Sequence, residues 1–216
     1  MIPKLHYISQ GDSPEGHLEN IHKACSAGVE LVQLRIKNID EVNLLKTAEK
    51  AREITGNHQA RLIVNDHYKI AKTVKADGVH LGKADSPPTE ARKHLYSWQI
   101  IGGTANTVQD CRTLIEKKVD YIGLGPFRFT TTKDNLSPVL GVKGYASLLE
   151  ELKTETPIIA IGGITIEDVI AILETGVYGI ATSGELTKDF SKINRFHNRL
   201  QTGTKQEQVW KVNQKT

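Results

Sequence analysis

The sequence predicts a closed, single-domain α/β fold, the (β/α)8 TIM barrel. Eight short runs rich in aliphatic and β-branched residues recur along the chain. Amphipathic helical patterns separate them, as in a parallel sheet wrapped by helices. The Gly-x-Gly-x-x-Gly fingerprint of a dinucleotide-binding sheet is absent near the start, which favours a closed barrel over an open doubly wound sheet.

The elements follow in order. The first strand is "KLHYIS" at 4–9 and the second "LVQLRIK" at 31–37, followed by the helical pattern "DEVNLLKTAEKAREIT". "RLIVND" at 61–66, "GVHLG" at 78–82 and "QIIGGTA" at 99–105 are the third to fifth strands. The next helix, in "TVQDCRTLIEKK", places Val108, Cys111, Leu114 and Ile115 at helical spacing. "YIGLGP" at 121–126, "PIIAIGG" at 157–163 and "GIATSG" at 179–184 complete the set. Gly28, Gly56 and Gly176 stand where a left-handed helix C-cap favours glycine. Thr165, with Asp168 three residues on, resembles a capping box after strand seven. The barrel is expected over residues 1–203, with the polar, lysine-rich stretch 204–216 as a frayed tail.

Bulk properties narrow the function. A net charge of +3 over 216 residues, with few aromatics, argues against nucleic-acid binding. No run approaches 18 apolar residues, so no membrane span is expected. The first residues carry no apolar stretch of signal-peptide length, and Cys25 and Cys111 form no Cys-x-x-Cys motif, which together suggest a reducing cytoplasm. The expected partners are small molecules, and no pattern fixes an oligomeric state.

Barrel chemistry belongs at the C-terminal strand ends. In the second strand Gln33, Arg35 and Lys37 alternate with Val32, Leu34 and Ile36, so the polar set is expected to face the barrel axis. Strand three ends in Asn65-Asp66, and the loop after strand four carries Asp85. Two carboxylates at neighbouring strand ends suit magnesium, which fills its octahedron with water and phosphate oxygens; each alone also fits a helix N-cap. Strand five ends in "GGTAN", where Thr104 and Asn106 fit either a ligand contact or the start of a helix. Strand six runs into Thr130, Thr131, Thr132 and Lys133, a loop suited to holding phosphate. The glycine-rich turns after strands seven and eight, with Gly163, Ser183 and Gly184, can turn N–H groups toward an anion. His80 and His6 are read as satisfied interior histidines, and His58, His94 and His197 as surface residues. No Ser–His–acid order appears.

"VQLRIK", "IVNDH", "DGVHLGKAD", "YIGLGPFRFTTTK" and "IAIGGIT", in that order and spacing, resemble the thiamine-phosphate synthase family over residues 4–190. That family joins 4-amino-2-methyl-5-pyrimidinylmethyl diphosphate to 4-methyl-5-(2-phosphoethyl)thiazole, giving thiamine phosphate and pyrophosphate. The resemblance implies that Gln33, Arg35 and Lys37 contact the pyrimidine diphosphate, that Asn65 lies on the diphosphate side, and that Asp66 and Asp85 ligate Mg2+. It implies thiazole-phosphate contacts from Thr130, Thr132 and the Gly163 backbone, and a grip on pyrophosphate by Lys133. Arg35, Lys37 and Lys133 are the expected catalytic cations. Thr104 stands where the family commonly has serine and keeps a hydroxyl. Phe129 and Thr131 replace prolines common in the family, and Ser183-Gly184 replaces a hydrophobic–Ser pair. Two alternatives remain. One is a thiazole tautomerase-like isomerase, whose members tend to lose the diphosphate residues and carry a histidine where Pro126 stands; the other is a non-catalytic phosphate-ligand-binding barrel.

Overall fold

The structure, a computed structural model, describes residues 1–129 and 138–202. Eight parallel strands close into a barrel in sequence order, confirming the expected fold. They are β1 (Leu5–Ile8), β2 (Leu31–Leu34), β3 (Arg61–Asn65), β4 (Gly78–Leu81), β5 (Ile100–Ala105), β6 (Tyr121–Leu124), β7 (Ile158–Ile161) and β8 (Gly179–Thr182). Closure is made by β1 and β8, with His6 opposite Ala181. Between and after the strands run α1 (Pro14–Ser26), α2 (Glu41–Asn57), α3 (Tyr68–Thr73), α4 (Pro88–His94), α5 (Val108–Glu116), α6 (Gly141–Leu152), α7 (Val169–Leu173), α8 (Gly184–Lys188) and α9 (Lys192–Thr202). The tail expected at 204–216 lies outside the described residues.

The helix starts follow from local chemistry. Ser13 accepts the Gly16 N–H at 3.1 Å ahead of Pro14, which suits a first helical position. Asp40 accepts the Asn43 N–H at 2.9 Å and so opens α2. Thr107 and Asp110 form a reciprocal capping box on α5. The Thr165–Asp168 pair is present too, opening a 3-10 turn at Ile166–Asp168. Gly28 and Gly176 are left-handed as expected, at φ 95° and 93°. Gly56 is not: it lies inside α2, and Gln59 (φ 57°) turns the chain instead.

Two apolar regions result from strand alternation. Outward-facing residues such as Tyr7, Val32, Leu62 and Val79 pack beneath the helices in one continuous core. Ile8, Tyr121, Ile159 and Ala181 fill the barrel interior. Space for the Tyr121 ring comes from Gly102 on the neighbouring strand, where any Cβ would collide with it. Burying each large aliphatic side chain contributes roughly 1.5–3 kcal/mol, and the resulting rigid ring fixes where every strand ends.

Candidate active site

The barrel's polar mouth begins at β2 and β3. Gln33 is buried, and its Nε2 donates to Asn65 Oδ1 at 2.7 Å. Strand alternation therefore holds as far as Gln33. It does not extend to Arg35 and Lys37: β2 ends at Leu34, whose partner on β3 is Val64, and the ladder stops there. Arg35 is half-buried and Lys37 exposed in the following loop. The Arg35 N–H turns to the Ser9 hydroxyl, at 3.1 Å. Among the described residues, the Arg35 guanidinium makes no ion pair and has no side-chain hydrogen-bond partner.

The two aspartates stand at adjoining strand ends. Asp66 directly follows β3 in a left-handed conformation, φ 64°, with its N–H donated to the His80 carbonyl at 2.8 Å. Aspartate is one of the few side chains that tolerate this backbone region. Asp85 Oδ2 accepts the Gly82 N–H at 2.6 Å, which ties the carboxylate back to the end of β4. Neither serves as a helix N-cap, because His67 precedes α3 and Pro87 precedes α4. Among the described residues no group of three or more His, Cys, Asp or Glu gathers around a possible ion. Two carboxylates still match Mg2+ completed by water and substrate phosphates.

Thr104 lies within β5, and the next helix is capped by Thr107, so the helix-start alternative for Thr104 falls. The His80 imidazole is 3.0 Å from the Thr104 hydroxyl at Nε2 and 3.0 Å from the Tyr121 hydroxyl at Nδ1. His80 is thus the satisfied interior histidine expected, and it links Thr104 to the barrel interior. Burial pushes the Tyr121 phenol pKa well up, so the ring stays neutral. Asn106 donates through Nδ2 to the Gly125 carbonyl, joining the β5 and β6 loops. Thr130, Thr132 and Lys133 lie outside the described residues.

The β6 and β7 loops are locked together just ahead of that segment. Arg128 makes two hydrogen bonds of 2.7 Å to the two Asp168 oxygens and one of 3.0 Å to the Gly163 carbonyl. Gly163 has φ 67°, and a Cβ there would run into Arg128, so only glycine fits. Burial alone would raise the Asp168 pKa, but hydrogen bonds from Arg128 and Thr165 outweigh it and hold the carboxyl below its ordinary value. After β8, Gly184 opens α8 and Ser183 directly precedes it. The Ser183 hydroxyl is the one buried side-chain polar atom without a partner among the described residues. A buried hydroxyl left unpaired is costly, and a phosphate oxygen would satisfy it.

The expected residues from β2 to β5, β7 and β8 therefore all fall at the C-terminal strand ends. Sequence reading missed Ser9 and His17, which hold the Arg35 backbone, and the Arg128–Asp168 ion pair. Periodicity carries no sign of pairs 8, 26 or 40 residues apart.

Comparison with known proteins places the chain in a family. Residues 5–186 match the family model for thiamine monophosphate synthase. The chain is 45% identical over 195 residues to the thiamine-phosphate synthase of Flavobacterium johnsoniae, covering 89% of this chain and 92% of that protein. It is 44% identical over 185 residues to the same-named protein of Bacteroides fragilis, covering 84% and 91%. Among solved structures it resembles thiamine phosphate pyrophosphorylase from Pyrococcus furiosus, with a TM-score of 0.79, 26% identity and coverage of 93% of this chain and 96% of that one.

Proposed function

The chain belongs to the thiamine monophosphate synthase family, and from that premise we propose how its barrel mouth makes thiamine phosphate and pyrophosphate. The enzyme is a transferase of a pyrimidinylmethyl group. The C–O bond of the pyrimidinylmethyl diphosphate breaks, and its electron pair leaves on pyrophosphate. The electron-rich aminopyrimidine stabilises the cationic carbon left behind. The thiazole nitrogen then shares its lone pair with that carbon, forming the thiazolium. No proton changes place, so the site must stabilise charge on the departing group rather than act as acid or base.

The observation that carries the residue assignment is Arg35. Arg35 is half-buried just past the end of β2, two residues beyond Gln33, and its guanidinium has no ion-pair partner among the described residues. Charge of this kind is rarely buried without a partner, and a diphosphate would supply one. Gln33 and Asn65 orient the pyrimidine diphosphate, with Lys37 at the rim and Thr104 behind. Asp66 and Asp85 would hold Mg2+, which when bound would supply neutralising charge to the leaving group. Gly163, Ser183 and Gly184, with Thr130 and Thr132, are assigned to the thiazole phosphate, and Lys133 to pyrophosphate. A charge pair at about 4 Å is worth about 4 kcal/mol at an effective dielectric near 20. A few such contacts that strengthen as the bond breaks fall within the usual catalytic range.

The tautomerase alternative lacks support. Pro126 is buried where that chemistry would need a proton carrier, and the diphosphate residues are present. Two variants test the assignment. Asp66→Ala is expected to raise the magnesium concentration for half-maximal rate by about tenfold or more; an unchanged requirement would remove Asp66 as a ligand. Lys133→Ala is expected to lower kcat by about a hundredfold with little change in the KM for thiazole phosphate. Equal losses in both would contradict a leaving-group role.

A further inference from the structure

We propose that Ser9 and His17 form a buried relay that positions Arg35 for the diphosphate. The inference rests on the functional reading above and extends it to two residues that touch no substrate. β2 ends at Leu34, so the Arg35 N–H has no strand partner. It donates instead to Ser9 Oγ at 3.1 Å, while the Ser9 N–H donates to the Gln33 carbonyl at 2.9 Å. Ser9 thus holds β2 on both sides of the point where it leaves the barrel wall.

A backbone N–H only donates, so Ser9 Oγ accepts from Arg35. The same hydroxyl lies 2.8 Å from His17 Nδ1, and the relay assigns its proton to that bond, with His17 neutral and its lone pair at Nδ1. Ser9 is 4% exposed and His17 6% exposed, so water does not compete for either. Burial pushes the His17 pKa down, a backbone contact to Gly11 pulls it up, and the Arg35 cation pushes it down again, leaving it below the ordinary value. The chain at Gly11 passes close against the start of α1: a Cβ there would collide with the His17 N. His17 and Ser9 are positioning residues; the side chain they serve is Arg35.

The test compares wild type with His17→Leu, His17→Asn and Ser9→Ala, each checked for folding by circular dichroism. Asparagine keeps an acceptor oxygen near the Nδ1 position. His17→Leu is expected to raise the KM for the pyrimidine diphosphate by about tenfold, the scale of one lost buried hydrogen bond. The KM for thiazole phosphate should stay within about twofold and His17→Asn within about threefold of wild type on both substrates. Parallel rises in both KM values, no rise in either, or an asparagine variant as impaired as leucine would overturn the relay. Should His17→Leu fail to fold, Ser9→Ala decides: a rise confined to the pyrimidine diphosphate supports the relay, and unchanged KM values overturn it. A wild-type chain that releases no pyrophosphate from the two substrates would instead overturn the functional reading and the relay with it.

Discussion

At the scale of single residues, two groups, one buried and one partly buried, tie stability to pH in ways that can be measured. His6 is 1% exposed in the barrel interior. Burial lowers its pKa to about 4, against a raising hydrogen bond to the Pro3 carbonyl. An unfolded histidine takes up its proton near pH 6.5, so this stabilisation is present above pH ~6.5 and is lost as the pH falls through the window down to about 4. His6→Gln is expected to flatten the fall in unfolding free energy across that window. Denaturant titrations at several pH values would show it, and an unchanged slope would mean that His6 is not the group responsible. Asp168 titrates lower. Its depressed pKa gives stability that is present above the unfolded carboxylate value of roughly 3.9 and lost as the pH falls below it. Asp168→Asn should weaken the protein at neutral pH and remove part of its acid-induced loss. Gln33 was legible at this scale, since alternation and an apolar opposite face mark it as inward. The Arg128–Asp168 pair was not, because a long, half-exposed side chain chooses among several partners by geometry that spacing does not encode.

Among the elements, a repeated device locks strands at the end of the barrel remote from the site. Asp77, just before β4, accepts the Leu62 N–H of β3 at 2.8 Å and pairs with Arg52 at 2.7 Å. Asp120, just before β6, accepts the Ile101 N–H of β5 at 2.7 Å and pairs with Arg92 at 2.6 Å. The same short pattern, an aspartate one residue ahead of a strand, thus closes the β3–β4 and β5–β6 ladders. Each carboxylate is partly exposed, so the ion pair itself counts for little, and the backbone hydrogen bond supplies most of the effect. Asp77→Ala or Asp120→Ala is expected to destabilise the fold by about 1–2 kcal/mol. Both KM values should be unchanged, because the N-terminal face of such a barrel serves stability. A substantial change in either KM would show that the two ends are coupled. The order and number of strands were readable from short apolar runs. Their ends were not: β2 was read to residue 37 and stops at Leu34, because strand length depends on where the neighbour's ladder runs out.

For the molecule as a whole, closure explains why residues far apart in sequence share one mouth. β1 pairs with both β2 and β8, so the ring has no edge and every C-terminal strand end opens on the same side. The placing of Gln33, Asn65, Asp66, Asp85 and Thr104 on one end of the barrel was legible once eight strands were recognised, since each falls at or just past a strand end. The supports behind them, Ser9 and His17 under Arg35 and Tyr121 under His80, were not legible, because they pair across strands and helices through buried polar contacts with no periodic trace. The central claim is that this mouth lets pyrophosphate depart while the thiazole nitrogen takes its place on carbon. The most direct measurement incubates the protein with both substrates, with and without magnesium, and counts both products. One thiamine phosphate per pyrophosphate, formed only when magnesium is present, is the expected result; pyrophosphate without thiamine phosphate, or neither product, would contradict it.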